Sequence, residues 1–477
     1  MGGVGKTRIL SEYAKTKKSK YTDIVWFNAI SESIIQAEIY QFVVVEKRLI
    51  RENDERAKDP NQLAFMFKRW MQENKNWLFL LDNVESIKDI KLFFDFDQMP
   101  VGKHHILISS RLDKNVFPKT FSPIEITTFN IDEARHFLYT YTDKEPNEYA
   151  NKIALTLGGL PLALEQAAAY IKAENESYQK YLKELKKQPL KILAKQHPES
   201  GAVAISATWN ISMERISNKS AIQLLYLCAF FAPDNISYEW FKDASEVLPE
   251  PLKKTIANKL ECQKDLKELV KYSLVHLENT TLSIHRILQT VIRNRLKYKR
   301  NEWLNYCAKI LNKFTFDDFS TVENRNKFVH IVSHIEAVVN SMNYNNATKD
   351  ISDLYHFLGY GFDDFANYGR AIKCYKKALI IYKNLPNKEH RSIAEVYGNI
   401  ARTYEHICYY DDALKYSRKA LRTLKKVSTE EHSDTVTLYD GIASIYIQKG
   451  NYSRALMHNQ KALDICKLFL TSVLPLK

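Results

Sequence analysis

A chain of 477 residues is long enough for about three domains. Its 45% hydrophobic content supports well-filled cores, and 26% charged residues with only 13 Gly and 13 Pro exclude a low-complexity or disordered polymer. The net charge of +13 comes from lysines spread along the whole length among acids, the pattern of solvated helix faces rather than of a nucleic-acid-binding stripe. Six cysteines (Cys228, Cys262, Cys307, Cys374, Cys408, Cys466) are scattered with no C-x-x-C pair, so reduced and mostly buried thiols are expected, not a disulfide frame or a zinc site. With no signal peptide and no apolar run of about 18 residues, a cytoplasmic chain without membrane contact is expected.

The first stretch, Met1-Gly2-Gly3-Val4-Gly5-Lys6-Thr7, reads as the end of a phosphate-binding loop, G-x-x-x-x-G-K-[ST]. Glycines let the backbone wrap phosphates with N–H groups inward, the lysine reaches the outer phosphates, and the threonine hydroxyl can ligate magnesium. A helix from Lys6 to about Lys17 adds its positive N-terminal dipole. The pattern's first glycine would precede Met1, as would the buried strand that feeds such a loop. The reading frame is therefore expected to extend upstream, or the gene to have lost its front end.

Asp23 to Asn28 reads as a buried strand, and Ser31 to Leu49 and Gln62 to Glu73 as helices. Further strands are expected at Trp77 to Leu81, Ile106 to Ser109 and Ile124 to Ile126. Strands alternating with helices indicate a parallel α/β sheet covered on both faces. The run Trp77 to Asp82 delivers the Asp82 carboxylate to the C-terminal edge of the sheet, where a magnesium ion would be held. The run from His105 to Arg111 ends in hydroxyls and a guanidinium at the same edge. Arg111 is read either as a sensor of a terminal phosphate or as one half of a surface ion pair.

Asn130 is placed to cap a helix carrying Ala134, Phe137 and Leu138, and another helix from about Asn147 ends at Gly158-Gly159. Leu160-Pro161-Leu162 then opens a helix through Ile171, with proline in its first turn. Tyr178 to Lys187 is a charged helix, and Pro189 to Gly201 reads as a linker. From Ala221 a dense apolar helix runs to Phe231. A helix over Asp265 to Tyr272 precedes a hairpin, Leu274 to Leu277 with Leu282 to His285, and a helix from about Arg286 to Leu296 follows. Helices around a small hairpin resemble a winged helix. His285 at the hairpin's end is structural unless a phosphate lies near it.

The final third repeats at a fixed step. Ala371 to Leu379 recurs as Ala413 to Leu421 and as Ala455 to Leu463, offsets of 413 − 371 = 42 and 455 − 413 = 42, and Tyr368, Tyr410 and Tyr452 keep that step. Small alanines let paired helices pack closely, and each pair must stack on a neighbour to bury its face.

In this order the landmarks resemble the NB-ARC family of signalling NTPases, within the wider STAND class, joined to tetratricopeptide repeats of the longer kind found in kinesin light chains. The resemblance implies an α/β P-loop nucleotide-binding domain over 1–130 with its first strand missing. It further implies a small helical domain over 131–205, a winged-helix-like domain over 206–300, a helical linker over 301–350 and an α-solenoid of repeats over 351–477. It implies ADP or ATP with Mg2+ as cofactors, held by Gly2, Gly3, Val4, Gly5, Lys6, Thr7, Arg8, Pro161 and His285, with Thr7 and Asp82 at the metal. Asp82 and Arg111 would be the catalytic pair, Pro161 would pack on the adenine, and His285 would reach the β-phosphate of ADP. ADP would hold the domains shut, ATP would open them and permit a homo-oligomer, and the repeats would bind protein partners.

Two departures bear on activity. Asn83 follows Asp82 where many relatives carry a second carboxylate, and an amide cannot act as a base, so at most a slow ATPase is expected unless Glu85 substitutes. Arg286 follows His285 where plant relatives have an acid. Two other readings compete: a repeat scaffold with a decayed nucleotide domain, and a winged-helix DNA-binding regulator. The second lacks support, since no aromatic-and-basic cluster marks residues 265–297.

Overall fold

The computed structural model describes residues 3–51, 54, 59–96, 102, 104–188, 202–319, 321–343, 346–386, 390–426 and 432–473. Met1, Gly2 and the expected linker from Pro189 to Gly201 lie outside the described residues. The chain divides into two units, one of Met1–Lys313 with Val329–Ser341, the other of Phe314–Phe328 with Met342–Lys477.

The first unit begins with three parallel strands in spatial order β1 (Asp23–Asn28), β2 (Trp77–Val84), β3 (His105–Ser110). Period-two alternation sorts the side chains of β2. Trp77 and Phe79 face one side, where Phe27, Phe42, Phe67, Trp70 and Phe94 close an aromatic core under α2 (Glu32–Tyr40) and α3 (Pro60–Glu73). Leu78 and Leu80 face the other side and pack against Leu10 of α1 (Lys6–Thr16) with Leu107 of β3. Asp82 continues that second face, so its carboxylate is delivered to the first turn of α1. The helix expected over Ser31 to Leu49 is α2 followed by a π-turn at Gln41–Glu46 that keeps Phe42, Val43 and Val44 buried.

The strand expected at Ile124 to Ile126 is not formed. Residues 121–130 are irregular and Ile124 is 83% exposed. The two apolar residues of that stretch flank Glu125 just after Pro123, too short an apolar stretch to hold a strand against the sheet, and among the described residues β3 remains the sheet's edge.

Asn130 does cap the next helix, α5 (Ile131–Thr142; α4 is the short Ile87–Ile90), through a reciprocal capping box with Glu133. α6 (Glu148–Thr156) is capped by the Asn147 side chain alone, which accepts from Tyr149 and Ala150 N–H, and α7 (Pro161–Ala173) starts on Pro161. α8 (Tyr178–Lys187) follows. Later in the unit the hairpin is shorter and shifted from expectation, with β5 (His276–Glu278) pairing antiparallel with β6 (Thr281–Ser283), and β6 also with β4 (Ile236–Ser237). Val275 and Leu274 are buried in the preceding turn rather than laddered, because a left-handed Ser273 ends the helix Lys259–Lys271 there. Of the cysteines, Cys228, Cys262 and Cys307 are buried and Cys374 and Cys466 partly so. Cys408 is exposed. It sits in a left-handed turn residue between two helices, outside their packed faces.

The second unit is a stack of antiparallel helix pairs: Lys349–Asp364 with Tyr368–Asn384, His390–His406 with Tyr410–Leu424, and His432–Gln448 with Tyr452–Val473. The repeated alanines Ala371, Ala378, Ala413, Ala420, Ala455 and Ala462 are all buried at the helix contacts. Phe319, Phe328, Phe357 and Phe365 form an aromatic cluster at the start of the stack.

Two glycines in this unit predict opposite outcomes. A Cβ on Gly361 would lie 2.2 Å from the buried Phe328 ring, whereas one on Gly369 meets nothing within 4 Å. Gly361→Ala is expected to destabilise by about 1–3 kcal/mol through overpacking. Gly369→Ala is expected to stabilise by about 0.5–1 kcal/mol through lower chain entropy. Urea unfolding followed by far-ultraviolet circular dichroism checks both.

Candidate functional site

The site is built where α1 meets the ends of β2 and β3. Gly3 and Gly5 take φ of +77° and +93°, so the loop before α1 curls through left-handed backbone that a side chain would strain. Val4 is buried and contributes through its backbone. The Thr7 hydroxyl donates to the Asp82 carboxylate at 3.1 Å from each oxygen. Asp82 is only 3% exposed, and its remaining partners come from the strand ends: the Ser109 hydroxyl donates to Oδ1, and Asn83 Nδ2 to Oδ2 at 3.1 Å.

Asn83 holds a left-handed φ of 64°, a conformation asparagine tolerates. That residue breaks the β2–β3 register between Leu81 and Val84 and turns its N–H onto Ser109 Oγ at 3.0 Å. The bulge therefore orients the hydroxyl that braces Asp82. The sequence placed hydroxyls at this edge without identifying Ser109 as the one on the carboxylate.

Two later segments close on the loop. Leu162 N–H donates to the Gly3 carbonyl at 3.3 Å. A Cβ on Gly3 would touch Ile287, Leu160 and Leu162 at 3.4–3.5 Å. The turn holding Pro161 and the N-terminus of the helix Arg286–Arg295 thus both rest on the loop. Gly159 makes the turn possible. It has φ +62°, accepts a hydrogen bond from Phe129 N–H, and leaves no room for a Cβ beside the Phe129 carbonyl.

His285 caps that helix, its Nδ1 accepting from Ile287 N–H at 3.2 Å. Loss of water around the ring, then the charges of Arg111, Arg286, His276 and Lys6, push it down to about 4. The Lys6 ammonium is held below the usual lysine range by desolvation and then by Arg111, with Asp82 pulling the other way. Arg286 is likewise lowered, by desolvation first, with Asp234 and Glu85 opposing and Arg111 adding to it. Its Nη1 donates to Glu85 Oε1 at 3.2 Å, while Nη2 is buried with no hydrogen-bond partner among the described residues.

Of the expected site residues, the structure brings Gly3, Val4, Gly5, Lys6, Thr7, Asp82, Arg111 and His285 together, with the Pro161 turn against them. Arg8 is 78% exposed on α1, paired with Glu12 at 3.5 Å, and stands apart. Gly2 lies outside the described residues. Arg286, Glu85 and Ser109 join the set. The first two meet across 201 positions of sequence, which no spacing pattern signals.

Lys6, His285 and Arg286 crowd around a glycine loop with Arg111 opposing the charge of each, and a buried guanidinium nitrogen of Arg286 is unsatisfied among the described residues; such a cluster fits a polyanion. The Thr7 hydroxyl beside the Asp82 carboxylate is a hard oxygen donor set that fits a divalent cation such as Mg2+.

Residues 1–147 match the NB-ARC domain family, and residues 351–426 and 408–467 match the tetratricopeptide repeat. The chain thus carries an NB-ARC domain followed by C-terminal tetratricopeptide repeats. Between the two, residues 211–301 match a domain of unknown function, DUF7779, which covers the hairpin and the His285–Arg286 helix. A nucleotide-binding leucine-rich repeat (NLR)-like protein of the fungus Hyaloscypha variabilis is 25% identical over 432 residues, 82% of this chain. The chain spans 41% of that relative's length. Among solved structures, the STAND protein with a tetratricopeptide repeat sensor from Pyrococcus horikoshii aligns at 15% identity over 98% of this chain and 74% of its own, with a TM-score of 0.49. BtubC (BKLC) from P. vanneervenii aligns over 48% of this chain and 91% of its own, at 12% identity and a TM-score of 0.28.

The depressed His285 sets a sign for the acid stability of this chain. The unfolded chain protonates this histidine near 6.5 and the folded chain near 4, so its contribution is present above 6.5 and lost as pH falls towards 4. His285→Asn keeps a capping side chain and removes the titration. The variant is expected to show a shallower loss of stability between pH 6.5 and 4, by up to about 1.4 kcal/mol per pH unit, in denaturant titrations at stepped pH.

Proposed function

We propose that this chain is a nucleotide-operated signalling switch that binds ADP or ATP with Mg2+ at the NB-ARC loop and engages protein partners through its repeats. The observation that carries this reading is the convergence of Lys6, Arg111, His285 and Arg286 on a loop whose glycines expose backbone N–H groups, beside the Thr7–Asp82 oxygen pair.

Each residue's task follows from its chemistry. Loop N–H groups around Gly3 and Gly5, with the N-terminus of α1, bind phosphate oxygens, and Lys6 neutralises the outer ones. The Thr7 and Asp82 oxygens hold the Mg2+, which supplies charge neutralisation between phosphates. Neutral His285 donates a hydrogen bond from the winged-helix-like region, and Pro161 forms part of the wall for the base. Arg111, at the tip of β3, senses the outermost phosphate.

Because His285 belongs to the DUF7779 region and Lys6 to the NB-ARC domain, a phosphate that both touch ties the two together. A nucleotide that contacts them unequally in two arrangements shifts the population between them, and only that difference opens the protein. Opening is read as exposing a surface for self-assembly, with the repeats as the docking surface for the partner. Residence in the cytoplasm accords with the absence, among the described residues, of any helix long and apolar enough to cross a membrane.

The purified chain, denatured and analysed by chromatography, is expected to release adenine nucleotide in near-equimolar amount. Lys6→Ala is expected to lose at least about tenfold in nucleotide affinity, the cost of one charge-assisted phosphate contact. A parent chain that neither releases nor binds ADP or ATP favours a repeat scaffold with a decayed nucleotide domain.

A further inference from the structure

The resemblance assigns His285 a phosphate but leaves Arg286 as an oddity, and the structure gives that residue a position. Arg286 is the first residue of the helix that His285 caps, and its neighbour Ile287 lies against Gly3 of the loop. Its side chain is 20% exposed. Nη1 bonds Glu85, three residues beyond Asp82, whose own side chain is 55% exposed. Nη2 is buried and has no hydrogen-bond partner among the described residues. A guanidinium is a planar fork made for two-point contact with carboxylate or phosphate oxygens, and here one tine is used and the other is not.

Glu85 is a replaceable partner. It is more than half in water, so releasing it back to solvent costs little, whereas the buried Nη2 gains its first acceptor from any anion reaching the cluster. The nearest fixed anions, Asp82 and Asp234, bear on Arg286 electrostatically without hydrogen-bonding it. Asp82 is already committed to Thr7, Ser109 and Asn83.

We propose that Arg286 is a terminal-phosphate arm that distinguishes nucleoside triphosphate from diphosphate: Nη2 takes an oxygen of the outermost phosphate of a triphosphate, and that phosphate displaces Glu85 from Nη1. With a diphosphate, Arg286 stays on Glu85 and clamps the DUF7779 region to the end of β2. The γ-phosphate thereby exchanges an intramolecular ion pair for a ligand contact, which is the differential interaction a two-state device requires. This inference rests on the nucleotide reading of the site.

The test is calorimetric titration of the full chain with ADP and with a slowly hydrolysed ATP analogue, in the presence of Mg2+. The chains compared are the parent, Arg286→Gln, Arg286→Lys, Glu85→Gln and Lys6→Ala. Arg286→Gln is expected to weaken the triphosphate by about tenfold or more while changing ADP less than about threefold. Arg286→Lys recovers part of the loss, as a point charge without the fork. Glu85→Gln removes the competitor and is expected to tighten the triphosphate several-fold relative to ADP. Equal effects on both nucleotides in Arg286→Gln, or no change of the ratio in Glu85→Gln, overturn the proposal. Glu85 is exposed enough that its variant folds even if Arg286→Gln does not, so the ratio remains measurable. If the parent binds both nucleotides, Lys6→Ala abolishes both and the Arg286 and Glu85 variants leave the ratio unchanged, only this proposal fails. If the folded parent binds neither, the nucleotide reading fails and takes this one with it.

Discussion

Asp82 is a carboxylate almost without water, and its two oxygens are held by Thr7 from α1, Ser109 from β3 and Asn83 from its own strand. A buried charge without partners would be strongly destabilising, so these contacts are a condition for the sheet edge to exist in this form. The same contacts fix where α1 begins. Leu10 seats the helix on Leu78 and Leu80, but that greasy contact alone would let it slide along its axis. The hydroxyl of Thr7 on Asp82 sets its position, and with it the place of Lys6 and the two glycines. From there the order propagates outward, since Gly3 is the seat for Leu162 and Ile287, and hence for the Pro161 turn and the helix carrying Arg286.

Around that joint the protein tolerates an arrangement that folding alone would avoid. Arg111 disfavours the charged forms of Lys6, His285 and Arg286, while Asp82, Glu85 and Asp234 oppose this at Lys6 and Arg286. Elsewhere the charges are arranged as helix surfaces usually are, in i,i+4 pairs such as Arg69 with Glu73 and Lys152 with Glu148. Such exposed pairs are worth about 0–1 kcal/mol each and decide little. The local conflict at the loop stands out against that background. Conflicts of this kind, where each element elsewhere obeys its own preference, mark the places where structure is kept for a ligand rather than for stability.

Much of this was legible in the chain before any coordinates. Short apolar runs marked β1, β2 and β3, glycines and the Lys6-Thr7 pair marked the loop, and Asn130 and Pro161 marked their helix starts, because each of these signals is local. The 42-residue step gave the repeats, because stacking imposes the same small alanines at each contact. Ile124 to Ile126 failed because its apolar stretch is too short to hold a strand against the sheet. What else failed or was missed depends on neighbours that sequence does not name. The hairpin register moved because Ser273 takes a left-handed turn, which its residue type does not announce. The Glu85–Arg286 pair joins two exposed-looking charges from opposite parts of the first unit, and only the fold brings them within reach.

Asn83 and Glu85 bear together on how long a nucleotide would stay intact, on the proposed reading. The Asn83 amide cannot take a proton, and it is committed to Asp82 Oδ2 and held in a left-handed conformation that serves the bulge. Glu85, just beyond β2, is a side chain with basic capacity, and Arg286 holds it. Activating water beside the loop would require Glu85 to leave Arg286, which the proposal assigns to the arrival of a terminal phosphate. The phosphate that frees Glu85 would at the same time occupy Arg286 and draw the cation cluster inward. Release of a base and capture of the terminal phosphate would then come from one event, so Glu85 would be free to activate water only in the triphosphate-bound arrangement. With a diphosphate the base stays on Arg286, and the one ion pair would hold both the closed arrangement and the idle chemistry.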